Sequence, residues 1–361
     1  MPIDLTDQKV FVLGAGVSGL AAARLLRHIG AIPIVVEDED AARAKASDIA
    51  DSVLTMAEAE DALSEAALVV TSPGIPPHHP FFTATTAANV PVWGDVELCW
   101  HVDKASLCGP SRVWLAVTGT NGKTTTVGMT TAICQQAGMS AVACGNIGYP
   151  IEEALLDPNH PDVLVCELSS FQLHWAPSVK PLAGALLNID EDHLDWHGSV
   201  EAYAADKTRV LNGLYAIVGL DDPRAAAAGD ECSAQFVIGF RAGEPVRGQI
   251  GVHENGLFDN AFGPNDAARF LIECADIHPA GPAGVLDAGA AAALAMAAGA
   301  MPQDVNDALK DFVVAPHRNA VVTTIDGITY VDDSKATNPH AARSSMPVSY
   351  THLRAHETRG N

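Results

Sequence analysis

The chain has 361 residues, of which 48% are hydrophobic and 18% are charged, so it is long enough for two or three domains with buried cores. Its 44 acidic and 21 basic residues give a net charge of −23, which argues against a nucleic-acid backbone as a partner because like charges repel. Anionic small molecules are compatible with this charge where a few cations are concentrated in a cleft.

The distribution of cysteine and apolar residues indicates a cytoplasmic protein. The seven cysteines are scattered, odd in number and without CxxC spacing, which favours reduced thiols over disulfides or a zinc site. The amino-terminal "MPIDLTDQKV" lacks the basic and apolar regions of an export signal. The most apolar window, "DAGAAAALAMAAGAM", is too short and too rich in alanine for a membrane span. We therefore expect no membrane partner.

Strands and helices alternate along the first hundred residues. A buried strand, "KVFVLG", enters a glycine turn, and "LAAARLLRHIG" then predicts a helix that ends at Gly30. The segments "IPIVVED" and "ALVVTS" predict two further strands, the second stopped by a Pro-Gly turn. This alternation predicts an α/β domain over residues 1–98, with a parallel sheet covered by helices.

A second α/β unit is predicted after residues 99–112, which lose the periodicity and are interpreted as a linker. Apolar runs in "VWLAVTG", "DVLVCELSS" and "LAGALLNI" end in polar residues, and ligands of open α/β sheets bind beyond the carboxyl ends of strands. Short strands over 214–262 and a helix near 284–300 complete a domain over 110–315. A hairpin is predicted around Asp326-Gly327, and residues 346–361 are interpreted as an unstructured or foreign tail.

The first glycine loop matches G-x-G-x-x-G at Gly14, Gly16 and Gly19, between a strand and a helix. Such a loop allows a tight turn, close approach of the backbone, and a helix N-terminus directed at a pyrophosphate. Glu37 and Asp38 end the next strand, where an acid can bind a sugar or a base. The alternative is a glycine-rich turn that serves only helix–strand packing.

The second glycine loop, Thr118 to Thr125, is a variant of the phosphate-binding loop. It places Gly119 and Gly122 before Lys123 and Thr124, although the strict pattern needs glycine where Val117 stands. Backbone N–H groups can hold phosphates, Lys123 can neutralise the β/γ charge, and the Thr124 hydroxyl can reach Mg²⁺. The two loops together predict two phosphate-bearing ligands.

Three residues further along the chain are candidates for the chemistry between these ligands. Glu167 ends a strand and His193 follows another, so a carboxylate and an imidazole could hold Mg²⁺ between ATP and a second substrate. His193 could equally be a hydrogen-bonded loop histidine. Lys207, in "EAYAADKTRV", could equally be a solvated helix lysine.

Several motifs in this order resemble the Mur ligase family: "TGTNGKTT", "ELSSFQL", "DHLDWHG", "PHR" and "DDSKATNPH". The resemblance covers about Pro2 to Ser345, although "TGTNGK" alone is shared with folylpolyglutamate synthases. It implies a Rossmann-like amino-terminal domain that binds UDP, a central P-loop ATPase-type domain, and a third Rossmann-like domain that binds an amino acid and would begin with residues 316–345.

The resemblance also implies site residues. Those near the UDP-sugar would be Gly16, Val17, Ser18, Glu37, Asp38, Ser72, Asn146, Ser169 and His193. Those binding ATP would be Gly119, Thr120, Asn121, Gly122, Lys123, Thr124, Thr125, Asp287, Arg318 and Asp333. Mg²⁺ ligands would be Thr124, Glu167, His193 and a carbamylated Lys207, and Lys123, Glu167, His193 and Lys207 would be catalytic. Lys335 and Thr337 would face the amino-acid substrate, and His317 and Asn338 match nucleotide- or amino-acid-facing positions.

Two departures from the family pattern stand out. Asp287 occupies the expected position of an asparagine that faces the adenine. The third domain should continue well beyond Ser345, on the order of 100 residues, so a truncated or frame-shifted chain is expected.

The implied reaction is an ATP-dependent amide ligation. The carboxylate of UDP-N-acetylmuramoyl-L-alanine would form an acyl phosphate, which the amine of D-glutamate would attack; two Mg²⁺ ions would assist. A monomer is expected. Two other functions stay open: a non-catalytic nucleotide- or UDP-sugar-binding protein, because of the short third domain, and an NAD-dependent oxidoreductase, which would leave the Lys123 loop without a role.

Overall fold

A computed structural model describes residues 4–263, 267–315 and 320–335. The predicted α/β architecture is confirmed, with helices packed on two largely separate sheets. The first sheet falls before residue 95 and the second after residue 112. The exact domain limits, 1–98 and 110–315, stay a prediction.

The first sheet has five parallel strands in the order β3-β2-β1-β4-β5. Its central strand is almost fully buried, as expected for a parallel sheet covered on both faces. The strands are β1 (Lys9–Leu13), β2 (Ile32–Val36), β3 (Ser52–Leu54), β4 (Leu68–Thr71) and β5 (Val92–Gly94). The helices are α1 (Val17–His28), α2 (Asp40–Ala46), α3 (Met56–Asp61), α4 (Pro80–Ala87) and α5 (Asp95–Lys104).

The second sheet has nine strands in the order β14-β13-β12-β11-β10-β9-β6-β8-β7. It is parallel from β7 to β12, and β12, β13 and β14 pair antiparallel at one edge. The strands are β6 (Val113–Thr118), β7 (Ala141–Gly145), β8 (Val163–Glu167), β9 (Ala183–Leu186), β10 (Tyr215–Gly219), β11 (Phe236–Phe240), β12 (Gln249–His253), β13 (Gly256–Asp259) and β14 (Arg269–Glu273). The predicted short strands over 214–262 are therefore confirmed.

Eight helices accompany this sheet in the described ranges. They are α6 (Lys123–Gln136), α7 (Ile151–Leu156), α8 (Ser170–His174), α9 (Leu194–His197), α10 (Val200–Thr208), α11 (Pro223–Glu231), α12 (Pro282–Ala297) and α13 (Pro302–Lys310). The alanine-rich helix predicted near 284–300 is α12, and its small side chains are buried because it packs closely against α6. In the described part of the chain, no helix has the length and apolar character to cross a membrane.

The predicted hairpin is confirmed as a separate two-stranded sheet of β15 (Ala320–Ile325) and β16 (Ile328–Asp332). Asp326 and Gly327 have φ angles of 50° and 78°, the left-handed conformation that a two-residue turn between twisted strands requires. Residues 316–319 and 336–361, and with them the predicted tail, lie outside the described residues.

The prediction of a linker over 99–112 is wrong for its first half, because α5 extends to Lys104. Val96, Cys99 and Val102 recur at helical spacing and are buried. Two buried carboxylates, Glu97 and Asp103, interrupt the apolar pattern. Asp103 accepts hydrogen bonds from the side chains of Arg112 and Trp114, and these contacts allow a charged residue inside a core face.

The two sheets meet at a junction that includes buried polar groups. The Gly94 N–H donates to the Trp175 carbonyl at 2.9 Å, and Gln172 donates to the Asp95 carboxylate at 3.3 Å. Burial raises the pKa of Asp95 and raises the pKa of Glu152 well above its ordinary value of 4.5, and the charge of Asp95 raises the pKa of Glu152 further. Within the described residues, Glu152 Oε1 has no hydrogen-bond partner. The ionised form of Glu152 is therefore unfavourable in the folded state.

We predict that Glu152→Gln raises the free energy of unfolding at neutral pH and weakens its pH dependence. The pKa of Glu152 is higher in the folded than in the unfolded chain, so its contribution to stability is present below pH 4.5 and is lost as the pH rises through the folded pKa. Urea unfolding of both proteins between pH 5 and 8 measures the difference. A difference that is constant across this range would contradict the assignment. Glu153→Gln, which changes the exposed neighbour that binds Arg24, is the control.

Candidate active site

The second glycine loop joins β6 to α6 and leaves the first N–H groups of α6 at its tip. Gly122 precedes the helix with a φ of +87°, and a Cβ there would lie 2.4 Å from Asp287 Oδ1. Only glycine fits this backbone without strain. The N–H groups of the first helical turn have no partner within the helix. This is the arrangement that binds phosphate at a helix N-terminus.

Polar side chains from neighbouring elements fix the shape of the loop. Asn188 accepts from the Asn121 N–H at 2.9 Å and donates to the Asn121 carbonyl at 3.2 Å. The Thr120 and Tyr203 hydroxyls are 3.0 Å apart, and Thr120 Oγ1 accepts from the Asp190 N–H at 2.9 Å. Thr125, in the first turn of α6, is buried. The loop is thus held in one conformation by groups outside it.

Thr124, Glu167 and Asn146 form a cluster at the carboxyl end of the sheet. The Thr124 hydroxyl donates to Glu167 Oε2 at 2.7 Å, and the Asn146 amide donates to Glu167 Oε1 at 3.3 Å. The Lys123 ammonium donates to the carbonyls of Gly119 and Thr120 at 2.8 and 3.0 Å. A hydroxyl and a carboxylate in contact beside a lysine match the oxygen ligands that Mg²⁺ prefers next to phosphate.

Lys207 is not a solvated helix lysine: its side chain is 2% exposed. Its ammonium lies 2.9 Å from the Gly119 carbonyl, 3.4 Å from Thr118 Oγ1 and 4.7 Å from the centre of the Tyr203 ring. Burial lowers the pKa of Lys207 well below its ordinary value, and the charge of Lys123 lowers it further, while Asp192 and Glu167 oppose the shift. Loss of the proton, which carbamylation requires, is therefore favoured here.

The side chain of His193, the predicted partner of Glu167, contacts Phe171 and Asp192. The strand β9 ends at Leu186, and His193 lies on the following loop with a φ of 51°. Its side chain is about half exposed, contacts the Phe171 ring and lies 3.7 Å from Asp192. Among the residues that the structure describes, His193 and Glu167 share no hydrogen bond or ion pair, and no three His, Cys, Asp or Glu side chains are grouped for a metal.

The first glycine loop is braced by residues that were predicted to touch the UDP-sugar. The Ser72 hydroxyl donates to the Leu13 carbonyl, and Glu37 accepts from the Ala15 N–H at 2.9 Å. Asp38 accepts from the Met56 N–H at 2.9 Å, ahead of α3. At the tip of the loop, Gly16 is exposed and a Cβ there would meet no atom within 4 Å. The open side of the loop is therefore at Gly16 and its neighbour Val17, which is 69% exposed.

Ser169 caps α8 and links the two loops indirectly. Its hydroxyl accepts from the Gln172 N–H at 3.2 Å, and the Gln172 side chain accepts from the Ser169 N–H at 3.1 Å. The same Gln172 side chain binds Asp95, which also interacts with Ser18 at the start of α1. One chain of polar contacts therefore runs from the first glycine loop to the segment that follows Glu167.

Of the remaining predicted residues, the structure describes Asp287, Asp333 and Lys335. Asp287 lies on α12, 3.2 Å from the Thr126 hydroxyl, and so supports the start of α6. Asp333 is half-buried and Lys335 is exposed after β16. His317, Arg318, Thr337 and Asn338 lie outside the described residues. The predicted roles of these residues stay predictions.

Sequence reasoning missed Asn188 and Tyr203, which hold the phosphate loop. It also missed Asp206, which directly precedes Lys207, and its partner His197. The one available signal was the position of Asn188 directly after an apolar strand. Tyr203 occupies a helix position whose contacts depend on how that helix packs, and no local pattern reports it.

The fold and the loop define a nucleotide-binding α/β protein, and comparisons with known proteins specify its family. The "Mur ligase MurD-like, N-terminal domain" matches residues 8–94, and the "Mur ligase middle domain" matches residues 117–262. A UDP-N-acetylmuramoylalanine–D-glutamate ligase of Nocardia farcinica is 52% identical over 95% of this chain and 71% of its own length. The one from Mycolicibacterium smegmatis is 49% identical over 94% of this chain and 68% of its own length. The chain belongs to the Mur ligases, in the family of UDP-N-acetylmuramoylalanine–D-glutamate ligases.

Solved structures agree on the fold. MurF from Acinetobacter baumannii has a TM-score of 0.59 at 18% identity. The match covers 94% of this chain and 70% of the MurF chain. The pseudomurein peptide ligase type C from Methanothermus fervidus has a TM-score of 0.55 at 16% identity. The match covers 96% of this chain and 78% of the pseudomurein ligase chain. At these identities the comparison supports the arrangement of sheets and helices.

We predict that Gly16→Ala and Gly19→Ala separate binding from folding in the first loop. A Cβ at Gly19 would lie 2.0 Å from the Gly14 carbonyl oxygen, so Gly19→Ala should lower the free energy of unfolding by at least about 1–3 kcal/mol. At Gly16 a Cβ meets nothing, so stability should change by less than about 0.5 kcal/mol. Affinity for the UDP-sugar should nevertheless fall, because the methyl group would stand where the pyrophosphate approaches.

Chemical denaturation and calorimetric titration with UDP-N-acetylmuramoyl-L-alanine measure the two effects. Unchanged affinity in Gly16→Ala would show that the first loop serves packing alone.

Proposed function

We propose that this chain joins D-glutamate to UDP-N-acetylmuramoyl-L-alanine in an ATP-dependent ligation that builds a peptidoglycan precursor. The observation that carries the proposal is the group of Lys123, Thr124, Glu167 and Lys207 around one glycine loop. Two relatives that align with most of this chain are named for this reaction. The chain spans 71% and 68% of the length of these two relatives.

The donor set fits ATP with Mg²⁺. The N-terminus of α6 and the Lys123 ammonium suit the phosphates, and the Thr124 hydroxyl and the Glu167 carboxylate suit a divalent cation. A second ion would require His193 to approach and Lys207 to become a carbamate. The cation would supply Lewis-acid stabilisation of charge at the transferring phosphoryl group.

The residues of this chain bind and orient the substrates and neutralise their negative charge. An oxygen of the L-alanyl carboxylate attacks the γ-phosphorus, the bond to ADP breaks, and an acyl phosphate forms. Lys123 offsets the repulsion between this carboxylate and the triphosphate. The amine nitrogen of D-glutamate then attacks the acyl carbon, phosphate leaves and the amine loses a proton. No protein nucleophile is needed, and the loop is already fixed by Asn188 and Tyr203, so little reorganisation accompanies the transfer.

The geometry of the first loop supports a proposed role in binding the UDP-sugar. The exposed backbone at Gly16 and the N-terminus of α1 would bind the pyrophosphate of the UDP-sugar. We further propose that Asn146, which contacts Glu167, and Ser169, which caps α8, bind the muramoyl part. An oxidoreductase reading assigns nicotinamide to the first loop but gives the Lys123 cluster no function.

We predict D-glutamate-dependent phosphate release in the presence of UDP-N-acetylmuramoyl-L-alanine, ATP and Mg²⁺. The assay is run on this chain and on a chimaera that continues with the remaining carboxyl-terminal part of the Nocardia farcinica relative. Release by either protein supports the ligase. Release by neither, or tight binding of NADH with no binding of the UDP-sugar, would refute it.

We predict that Thr124→Ala lowers turnover about 10- to 100-fold, the usual cost of disturbing the ligand set of a metal. Thr124→Ser keeps the hydroxyl that contacts Glu167 and should retain most of the activity. Lys123→Met should lose more than either, because it removes a charge at the phosphates. Phosphate release over a range of Mg²⁺ concentrations provides the test, and equal losses in Thr124→Ala and Thr124→Ser would count against a role for the hydroxyl.

A further inference from the structure

A buried carboxylate directly before Lys207 joins three helices. Asp206 is 7% exposed at its side chain, and its Oδ2 lies 3.1 Å from His197 Nδ1 and 2.9 Å from His174 Nδ1. Its Oδ1 lies 3.2 Å from an Arg209 nitrogen. Asp206 lies on α10, His174 on α8 and His197 on α9. Oδ2 therefore connects α10 to both α8 and α9, and Oδ1 binds the residue that follows α10.

The hydrogen-bond roles in this cluster follow from the chemistry of a carboxylate. An ionised carboxylate only accepts, so Nδ1 of each histidine carries the proton that faces Asp206. The neutral His197 ring then accepts at Nε2 from the Ser170 hydroxyl, which lies 2.9 Å away. His197 is 1% exposed at its side chain, and burial lowers its pKa, which favours this neutral ring.

The cluster has the residue types of a Ser-His-Asp nucleophile triad, but its surroundings do not suit nucleophilic catalysis. Ser170 is 2% exposed and is the first residue of α8, so a substrate carbonyl would have no access to its hydroxyl. The Phe171, Trp196 and Tyr203 rings surround His197 at centroid distances of 5.4, 4.5 and 5.2 Å. This packing holds His197 and its hydrogen-bond partners in fixed positions.

The contacts of Asp206 affect the phosphate loop because the next residue, Lys207, touches that loop. Asp206 and Lys207 are consecutive on α10, so they face different neighbours: Asp206 faces α8 and α9, and Lys207 faces Gly119. One turn earlier on the same helix, Tyr203 contacts Thr120. Fixing α10 against α8 and α9 therefore fixes the two side chains that touch the loop.

We propose that Asp206 is a positioning residue for the ligation, acting through His174, His197 and Arg209 to hold α10 so that Lys207 and Tyr203 meet the phosphate loop in one geometry. The inference rests on the proposed function, because it assumes that Lys207 acts at the transferred phosphate. Residues that orient a ligand at a metal or phosphate site commonly affect activity nearly as much as the ligand itself.

The central test compares Asp206→Asn with Asp259→Asn. Asp259 is also a buried carboxylate paired with an arginine, Arg269, but it lies on β13, away from the loop. Asp206→Asn should lower kcat about 10- to 100-fold with little change in KM for ATP or the UDP-sugar, and should speed amide hydrogen exchange over residues 200–208. Asp259→Asn should lose stability, keep kcat near the wild-type value, and exchange faster only around β13 and β14.

A second pair guards against a variant that fails to fold. His174 is 28% exposed at its side chain, so its replacement is tolerated more easily than that of Asp206. Asparagine places an N–H close to the position of the histidine Nδ1, so His174→Asn should keep most of the turnover while His174→Ala loses it. Equal kcat in the two variants would contradict the positioning role.

The outcomes separate this inference from the proposed function. Wild-type kcat in Asp206→Asn, or losses in Asp206→Asn and Asp259→Asn that simply follow their unfolding temperatures, would overturn the inference while the ligase stands. If the wild-type protein and the chimaera release no D-glutamate-dependent phosphate, the proposed function fails. In that case hydrogen exchange decides alone: unchanged exchange over 200–208 in Asp206→Asn overturns the anchoring of α10, and faster exchange supports it.

Discussion

The site depends on the burial of one lysine amine against the phosphate loop. A buried ammonium is unfavourable unless it is paired or loses its proton, and Lys207 has the Gly119 carbonyl and the Thr118 hydroxyl as its near neighbours. A second lysine, Lys123, adds repulsion. The arrangement is therefore poised for whatever brings negative charge to the loop, whether the phosphates of a nucleotide or a carbamate on the amine itself.

This constraint explains why so many polar contacts surround the loop. If α10 or the loop moved by an ångström, the amine would lose its carbonyl partner while remaining buried, at a cost of about 1–3 kcal/mol. Asn188 and Tyr203 hold the loop, and Asp206 holds α10. The junction of the sheets adds a further requirement, since Gln172 both closes the cap of α8 and binds Asp95. The position of α8 is thus fixed from both sheets.

The sequence predicts what depends on local pattern, namely the apolar strands, the glycine turns and the Asp326-Gly327 hairpin. The polar end of β8 also predicted that Glu167 faces the phosphate site, because ligands bind beyond the carboxyl ends of parallel strands, and Glu167 does contact Thr124. The burial of Lys207 could not be predicted, because its exposure depends on which helix face meets the loop. The interpretation of 99–104 as a linker failed for a related reason. The charge of Asp103 suggests an exposed position, but Asp103 is buried and its carboxylate accepts hydrogen bonds from Arg112 and Trp114.

The two glycine loops show why a motif match alone leaves binding and packing unresolved. In the first loop, Gly19 is required because another part of the same turn lies against it, whereas Gly16 faces open space. In the second loop, Gly122 is required by both its φ angle and the nearby Asp287, so its identity follows from the fold whether or not a phosphate is bound. The residue whose identity the protein alone does not explain is Gly16. A ligand that approaches the backbone closely would supply the missing reason, so the proposal that the first loop binds substrate rests more directly on Gly16 than on the spacing of its three glycines.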